Sequence, residues 1–259
     1  MWKSIRVGVL LMVLGVVASN AWLEQHRAVA WRDSLYVGVF PVAADQRPTT
    51  QAYVATLQRE SFAVLEPFFA KEARRYGLPL ATPFRIELFP ALAAPPPLAP
   101  APAEANPLTT VWWSLRMRWY AWRFGSATGR PTPHVRVFVL YHDPALNPAL
   151  PHSVGLRKGQ IGLVNAFASD AQGGANAIVI AHEVLHTVGA TDKYDAETDA
   201  PLYPQGFADP DQKPRYPQLR AEIMAGRRAI TERDQDMPDS LDDCVIGTAT
   251  AAEIGWLTR

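Results

Sequence analysis

AHEVLHTVGATDKYD, Ala181 to Asp195, is the stretch whose reading decides how the rest of the chain is understood. His182 and His186 stand four residues apart, so on a helix both imidazoles project from one face about a turn apart and can share a metal ion. Glu183 lies beside them. It can take a proton from water that attacks a carbonyl, without itself being a ligand. A zinc site with three protein ligands and one open position needs one more group. Gly189 suits the left-handed conformation that ends a helix, and a chain turning back there brings Asp192 towards the two histidines. The competing reading is an ordinary helix whose histidines satisfy local hydrogen bonds.

Working outward, Gly173 and Gly174 lead into this helix, and QIGLVNAFA, Gln160 to Ala168, reads as a strand before it. Gly162 and Asn165 suit a position at the rim of a sheet. HVRVFVLYHD, His134 to Asp143, is the clearest strand, with LYVGVFPV, Leu35 to Val42, and FRIELFP, Phe84 to Pro90, as two more. Thr50 to Tyr76 carries a helical apolar period interrupted by Pro67, which predicts a kink or two helices. The run ALAAPPPLAPAPAEANP breaks all periodicity and reads as a solvated, partly polyproline loop. VWWSLRMRWYAWRF, Val111 to Phe124, is helical in spacing, with four tryptophans and three arginines. Such a helix could serve as a base-stacking or membrane-surface face; the expected arrangement instead buries the indoles on the core and lays the arginines along the edge. This order of elements belongs to an α/β or α+β domain.

The chain has 259 residues with 48% hydrophobic content, enough to bury a full core. Twenty-five basic and twenty-five acidic residues cancel without a long run of either sign, which argues against nucleic acid as a partner. Cys244 is the only cysteine, so an intramolecular disulfide and a multi-cysteine zinc site are excluded, and it reads as a small buried residue. At the N-terminus Lys3 and Arg6 precede the apolar run Val7 to Ala18, with small residues at Ser19, Asn20 and Ala21. This pattern predicts an export signal over residues 1–22, with a periplasmic or extracellular destination. From Ile5 to Leu23 the segment nearly reaches the ~20 apolar residues that span a bilayer, so an uncleaved membrane tether is the alternative. The charges would then keep Lys3 and Arg6 inside and place everything after Trp22 outside.

HEVLHTVGATD resembles the extended zinc signature of the metzincin metallopeptidases, His-Glu-x-x-His-x-x-Gly-x-x followed by a third ligand. That ligand is usually His; here it is Asp192, as in the snapalysin-like members, and DKYD is also similar to the immune inhibitor A group. AEIMAGR, Ala221 to Arg227, looks like the family's methionine turn, and TATAAEIGW, Thr248 to Trp256, like its last helix. The resemblance implies an α+β zincin fold over residues 33–259. Its upper lobe, 33–190, would hold a twisted mixed sheet and the active-site helix, and its lower lobe, 191–259, the methionine turn and last helix. It implies one catalytic Zn2+ on His182, His186 and Asp192, Glu183 as general base and acid, Met224 as the floor of the site, and peptide or protein as substrate. In that arrangement the strand before the metal helix forms the sheet edge, so Gly162, Leu163, Val164 and Asn165 are expected to pair with an extended substrate. A carboxylate in place of a third neutral imidazole adds negative charge to the ion and makes its water less acidic.

Tyr194 to Gln218 is long and proline-rich, and it is expected to shape the cleft. Its carboxylates Asp195, Glu197, Asp199, Asp209 and Asp211 are candidates for Ca2+, against the simpler reading of solvated loop charges. Tyr194, Tyr203 and Tyr216 are equal candidates to steady an oxyanion. Three rivals remain. A metal-binding scaffold without turnover has no use for Glu183, a deformylase-like hydrolase would take a cysteine ligand upstream that this chain lacks, and a structural envelope component would use the tryptophan helix as its working surface.

Overall fold

The computed structural model describes Arg6, Met12 and residues 30–97, 106–125, 130–157 and 159–257. Apart from Arg6 and Met12, the expected export segment lies outside the described residues, as does the middle of the proline-rich run, 98–105.

Five strands form one sheet in the order β2-β1-β3-β5-β4, where β1 is Leu35–Ala43, β2 Phe84–Leu88, β3 Val135–His142, β4 Val154–Leu156 and β5 Ile161–Phe167. All neighbours run parallel except β4, which pairs antiparallel with β5. Parallel strands need crossover connections, and those cover both faces of a sheet. This is why β1 and β3 read as almost unbroken apolar runs. Val37, Val39, Val135, Val137 and Val139 point into a main core with Phe68, Phe69, Ala181, Val184 and Leu185. Phe40, Phe138, Leu140, Ile161 and Leu163 point the other way, onto Trp113, Met117 and Tyr120. Three helices supply these cover layers: α2 (Leu65–Arg75) and α4 (Gly173–Val188) on the first face, and α3 (Pro107–Gly125) on the second. The molecule is therefore a mixed α+β fold around a mostly parallel five-stranded sheet.

The period from Thr50 to Tyr76 resolves into α1 (Pro48–Thr56), a short 3-10 turn and α2. Pro67 falls in the first turn of α2, where its missing N–H costs no helical hydrogen bond.

Two expectations are corrected. The strand Gln160 to Ala168 is not the rim. β5 is flanked by β3 and β4, so Gly162 and Leu163 pair on both sides, and Gly162, Leu163, Val164 and Asn165 are all buried. The rim is β4, a strand of three residues after a proline-rich approach, too short to show an alternating pattern. The tryptophans of α3 do not go inwards together either. Trp113 is 7% exposed, but Trp112, Trp119 and Trp122 are 64%, 58% and 66% exposed. The residues that α3 does bury with Trp113 are Met117, Tyr120 and Ala121, because these lie on the face turned to the sheet.

After α4 the chain runs through a long loop to β6 (Ala221–Glu222), which pairs parallel with β7 (Cys244–Val245), and ends in α5 (Thr248–Glu253). Ile223, Met224, Ile246 and Ile254 join the main core, so this part is continuous with the sheet. The Trp31 indole N–H donates to the Ile254 carbonyl at 2.7 Å, and its ring meets Trp256 edge-on, which fastens the last helix beneath the first strand.

Candidate metal centre

Helix α4 is apolar enough to be buried along most of its length, with Ala181, Val184, Leu185 and Val188 in the main core. His182 and His186 sit on its remaining face, with side chains 13% and 16% exposed. The helix ends as the glycine demands. Gly189 takes φ 112°, its N–H donates to the His186 carbonyl at 3.1 Å, and the Ala190 N–H reaches back to the Leu185 carbonyl at 3.1 Å. A side chain at Gly189 would be strained by that φ and would also meet the Arg157 guanidinium, 2.9 Å from where a Cβ would stand.

The turn brings Asp192 back over the histidines. Its Oδ1 lies 3.0 Å from His182 Nε2 and 3.1 Å from His186 Nε2, and the two Nε2 atoms are 3.0 Å apart. Both other ring nitrogens are engaged: His182 Nδ1 with the Ile223 carbonyl at 3.0 Å and His186 Nδ1 with the Ala190 carbonyl at 2.8 Å. A carbonyl can only accept, so each Nδ1 carries the hydrogen, and in its neutral form each ring turns a bare lone pair inwards. With both rings neutral, two lone pairs and a carboxylate oxygen face one another with no hydrogen to share, an arrangement that a cation relieves. Ligands about 2.0–2.1 Å from a tetrahedral zinc ion lie about 3.3 Å apart, close to the observed triangle. The carbonyls on both Nδ1 atoms are the outer partners that a metal-binding histidine usually has. The donor set therefore fits a divalent ion.

A proton shared with Asp192 is the alternative to a cation. Burial works against a proton on His182, but the hydrogen bond it would donate to Asp192 and the negative charges of Glu183 and Asp192 raise its pKa above the usual value. Burial would raise Asp192, yet its hydrogen bonds to His182 and His186 hold it well below the ordinary carboxylate range. Asp192 stays 44% exposed, so the cluster opens to solvent on that side.

Glu183 is 4% exposed, and its Oε2 is buried without a hydrogen-bond partner among the described residues. Burial raises its pKa, and the neighbouring histidines pull the other way. The rim strand β4 runs directly over this carboxylate. A Cβ at Gly155 would lie 2.3 Å from His186 Cβ and 3.0 Å from Glu183 Oε2, so only glycine lets β4 rest against the ligand-bearing helix.

Met224 is fully buried in a tight turn that follows β6. Its N–H donates to Glu222 Oε2 at 2.7 Å, and the Gly226 N–H closes the turn on the Glu222 carbonyl at 3.0 Å. The turn meets the cluster through its backbone: the Ile223 carbonyl holds His182, and the Met224 carbonyl accepts from the Lys193 N–H at 2.9 Å.

The three tyrosines separate. The Tyr194 ring lies 6.4 Å from His182, and its phenol pKa is raised by burial and by Asp192 and Glu183. Tyr203 and Tyr216 instead pack on either side of Phe207. The loop carboxylates do not converge. Asp195 accepts from the N–H groups of Glu197 and Thr198 and from the Thr198 hydroxyl, while Asp199 pairs with Arg227 at 3.2 Å. Among the described residues, His182, His186 and Asp192 are the one group of three that could hold an ion. Cys244 is buried as expected, its thiol pushed up to about 12 by desolvation.

Lys193 and Glu253 lie within DKYD and TATAAEIGW, but neither stretch marks them as a pair. The Lys193 ammonium is buried and touches both Glu253 oxygens at 2.8 Å. Glu253 also accepts from the Thr191 N–H at 2.9 Å and hydroxyl at 2.8 Å. Asp192 is therefore clamped on both sides, by a residue of the last helix on one and by the methionine turn on the other. No protein-family model matches the chain, and no similar curated protein was found.

Proposed function

We propose that the protein is an exported zinc-dependent endopeptidase, with His182, His186 and Asp192 as ligands and Glu183 as general base. The observation that carries this reading is the pairing of three converging acceptor atoms with a buried carboxylate oxygen that has no partner beside them. A divalent ion held there supplies the Lewis acidity that makes water nucleophilic at neutral pH and polarises a carbonyl. Zinc suits two imidazoles and a carboxylate with one open position.

Glu183 does the proton work. As water oxygen bonds to the scissile carbon, Glu183 takes the released proton, and it returns that proton to the amine nitrogen as the C–N bond breaks. Its burial raises the pKa towards the range in which a carboxylate can both accept and give a proton. The Tyr194 phenol, next to His182, is the group we assign to the oxygen that develops negative charge. Within a metzincin-like zincin architecture, the strand available to an extended substrate is β4, the real sheet edge, and not β5. A chain laid along β4 is bound through its backbone, and Gly155 keeps that strand close to Glu183.

The test is cleavage of a mixed peptide library by the wild type and by Glu183→Ala, each with and without a chelator. Cleavage by the wild type alone, abolished by chelation and restored by zinc, is the expected result. Equal cleavage by both proteins, or wild-type cleavage indifferent to the chelator, would overturn the proposal.

A further inference from the structure

Helix α3 has two apolar faces, and among the described residues the fold covers one. Met117, Tyr120 and Ala121 turn to the sheet with Trp113, while Leu108, Val111, Trp112, Leu115 and Trp119 are 82%, 58%, 64%, 54% and 58% exposed. Their spacings of three, one, three and four place them in a single stripe about 100° wide. Between Pro107 and Gly125 there is no acidic residue, and the arginines flank the stripe, Arg116 and Arg123 on one side and Arg118 on the other. Arg116 and Arg123 are exposed and form no ion pair among the described residues. The Arg123 guanidinium lies 5.6 Å over the Trp119 ring.

We propose that this stripe docks α3 flat on the surface of an anionic lipid bilayer. Tryptophan and leucine in a row, with exposed Arg116 and Arg123 along one border and Arg118 half-buried on the other, match an interface, where indoles sit at headgroup depth and guanidinium groups reach lipid phosphates. The helix does not match a span, and no helix of the described residues is long and apolar enough for one. The apolar run Val7 to Ala18 behind Lys3 and Arg6 is expected to direct the same chain to a membrane, so the surface and that expectation point to one location. The orientation is useful as well. Because α3 and the metal-binding helix α4 cover opposite faces of the sheet, docking through α3 leaves the ligand cluster turned away from lipid. This inference does not depend on the peptidase reading.

The experiment uses the full chain carrying Leu115→Cys labelled with an environment-sensitive dye, and Glu232→Cys as a control remote from α3. Buried Cys244 stays unlabelled. Vesicles contain phosphatidylcholine alone, or phosphatidylcholine and phosphatidylglycerol in equal parts, with a nitroxide on the acyl chain as quencher. Docking predicts strong quenching at position 115 on anionic vesicles, weak quenching on zwitterionic ones, and none at 232. Replacing Arg116 and Arg123 by Gln should raise the anionic lipid needed for half quenching about 30-fold, near fivefold per arginine. An unquenched position 115 on anionic vesicles, even where the chain floats with them through its N-terminal segment, would overturn the proposal. So would quenching equal to that at 232, or a dye already shielded before lipid is added, which would mean that the face is covered by the Val7 to Ala18 segment, a second copy or a protein partner.

Discussion

Glu253→Gln is the perturbation that best probes how the ligand loop is held. The Lys193 side chain is 2% exposed, and its ammonium contacts both Glu253 oxygens, the Thr191 carbonyl and the Thr191 hydroxyl, all at 2.7–2.8 Å. Glutamine keeps the shape and removes the counter-charge, leaving a buried cation among neutral acceptors. Stripping one partner from a fully buried ion pair costs about 3–5 kcal/mol. Glu253 is itself 31% exposed, so water offsets part of the loss, and we expect about 2–3 kcal/mol. Lys193→Met instead removes the buried charge, and Glu253 keeps the Thr191 N–H and hydroxyl, for a loss of about 1 kcal/mol. The double variant should resemble Lys193→Met, because no isolated ion remains. Urea unfolding of the zinc-free proteins measures all three. The pH dependence has a defined sign. Burial would raise the Glu253 pKa, but hydrogen bonds from Lys193 and Thr191 hold it below its ordinary 4.5. Its contribution is therefore full above 4.5 and is lost as pH falls through the lower folded value, so the gap between wild type and Glu253→Gln should close in acid. A Lys193→Met variant less stable than Glu253→Gln would refute the reasoning.

The other expectations concern neighbouring residues. Asp192→Ala should lower zinc affinity at least about 100-fold while Asp192→His retains the ion, by competition with a metal indicator; unchanged affinity in the alanine variant would remove Asp192 from the ligand set. Gly155→Ala must push β4 off helix α4, since its Cβ would stand 2.3 Å from His186 Cβ, and should cost about 1–3 kcal/mol in urea unfolding. An unchanged midpoint would contradict the close approach. With its thiol pKa near 12, Cys244 should resist a thiol reagent at mildly alkaline pH until the protein unfolds, and rapid labelling of the native chain would count against its burial.

The residues of the cluster were legible because their geometry is local. Four residues set one helical turn, and a glycine sets the reversal, so His182, His186 and Asp192 converge from a single short stretch. The strands β1, β2, β3 and β5 were legible from β-branched and aromatic runs. β4 was not, because three residues cannot show a period, and the rim was consequently assigned to β5. On α3 the tryptophans recur on two opposed faces, and periodicity alone does not say which face meets the sheet. Lys193 and Glu253 are 60 residues apart, and nothing in either neighbourhood marks the pair. That Tyr194, and not Tyr203 or Tyr216, lies beside His182 likewise depends on where a proline-rich loop runs, which only the fold decides.

Zinc content and peptide turnover, measured on the same preparations of wild type, Glu183→Gln and His186→Ala, test whether helix α4 separates metal binding from proton transfer. We expect one zinc per chain in wild type and in Glu183→Gln, with turnover in the latter lower by about 100-fold or more, and neither zinc nor turnover in His186→Ala. Wild-type turnover in Glu183→Gln, or a full complement of zinc in His186→Ala, would contradict that separation.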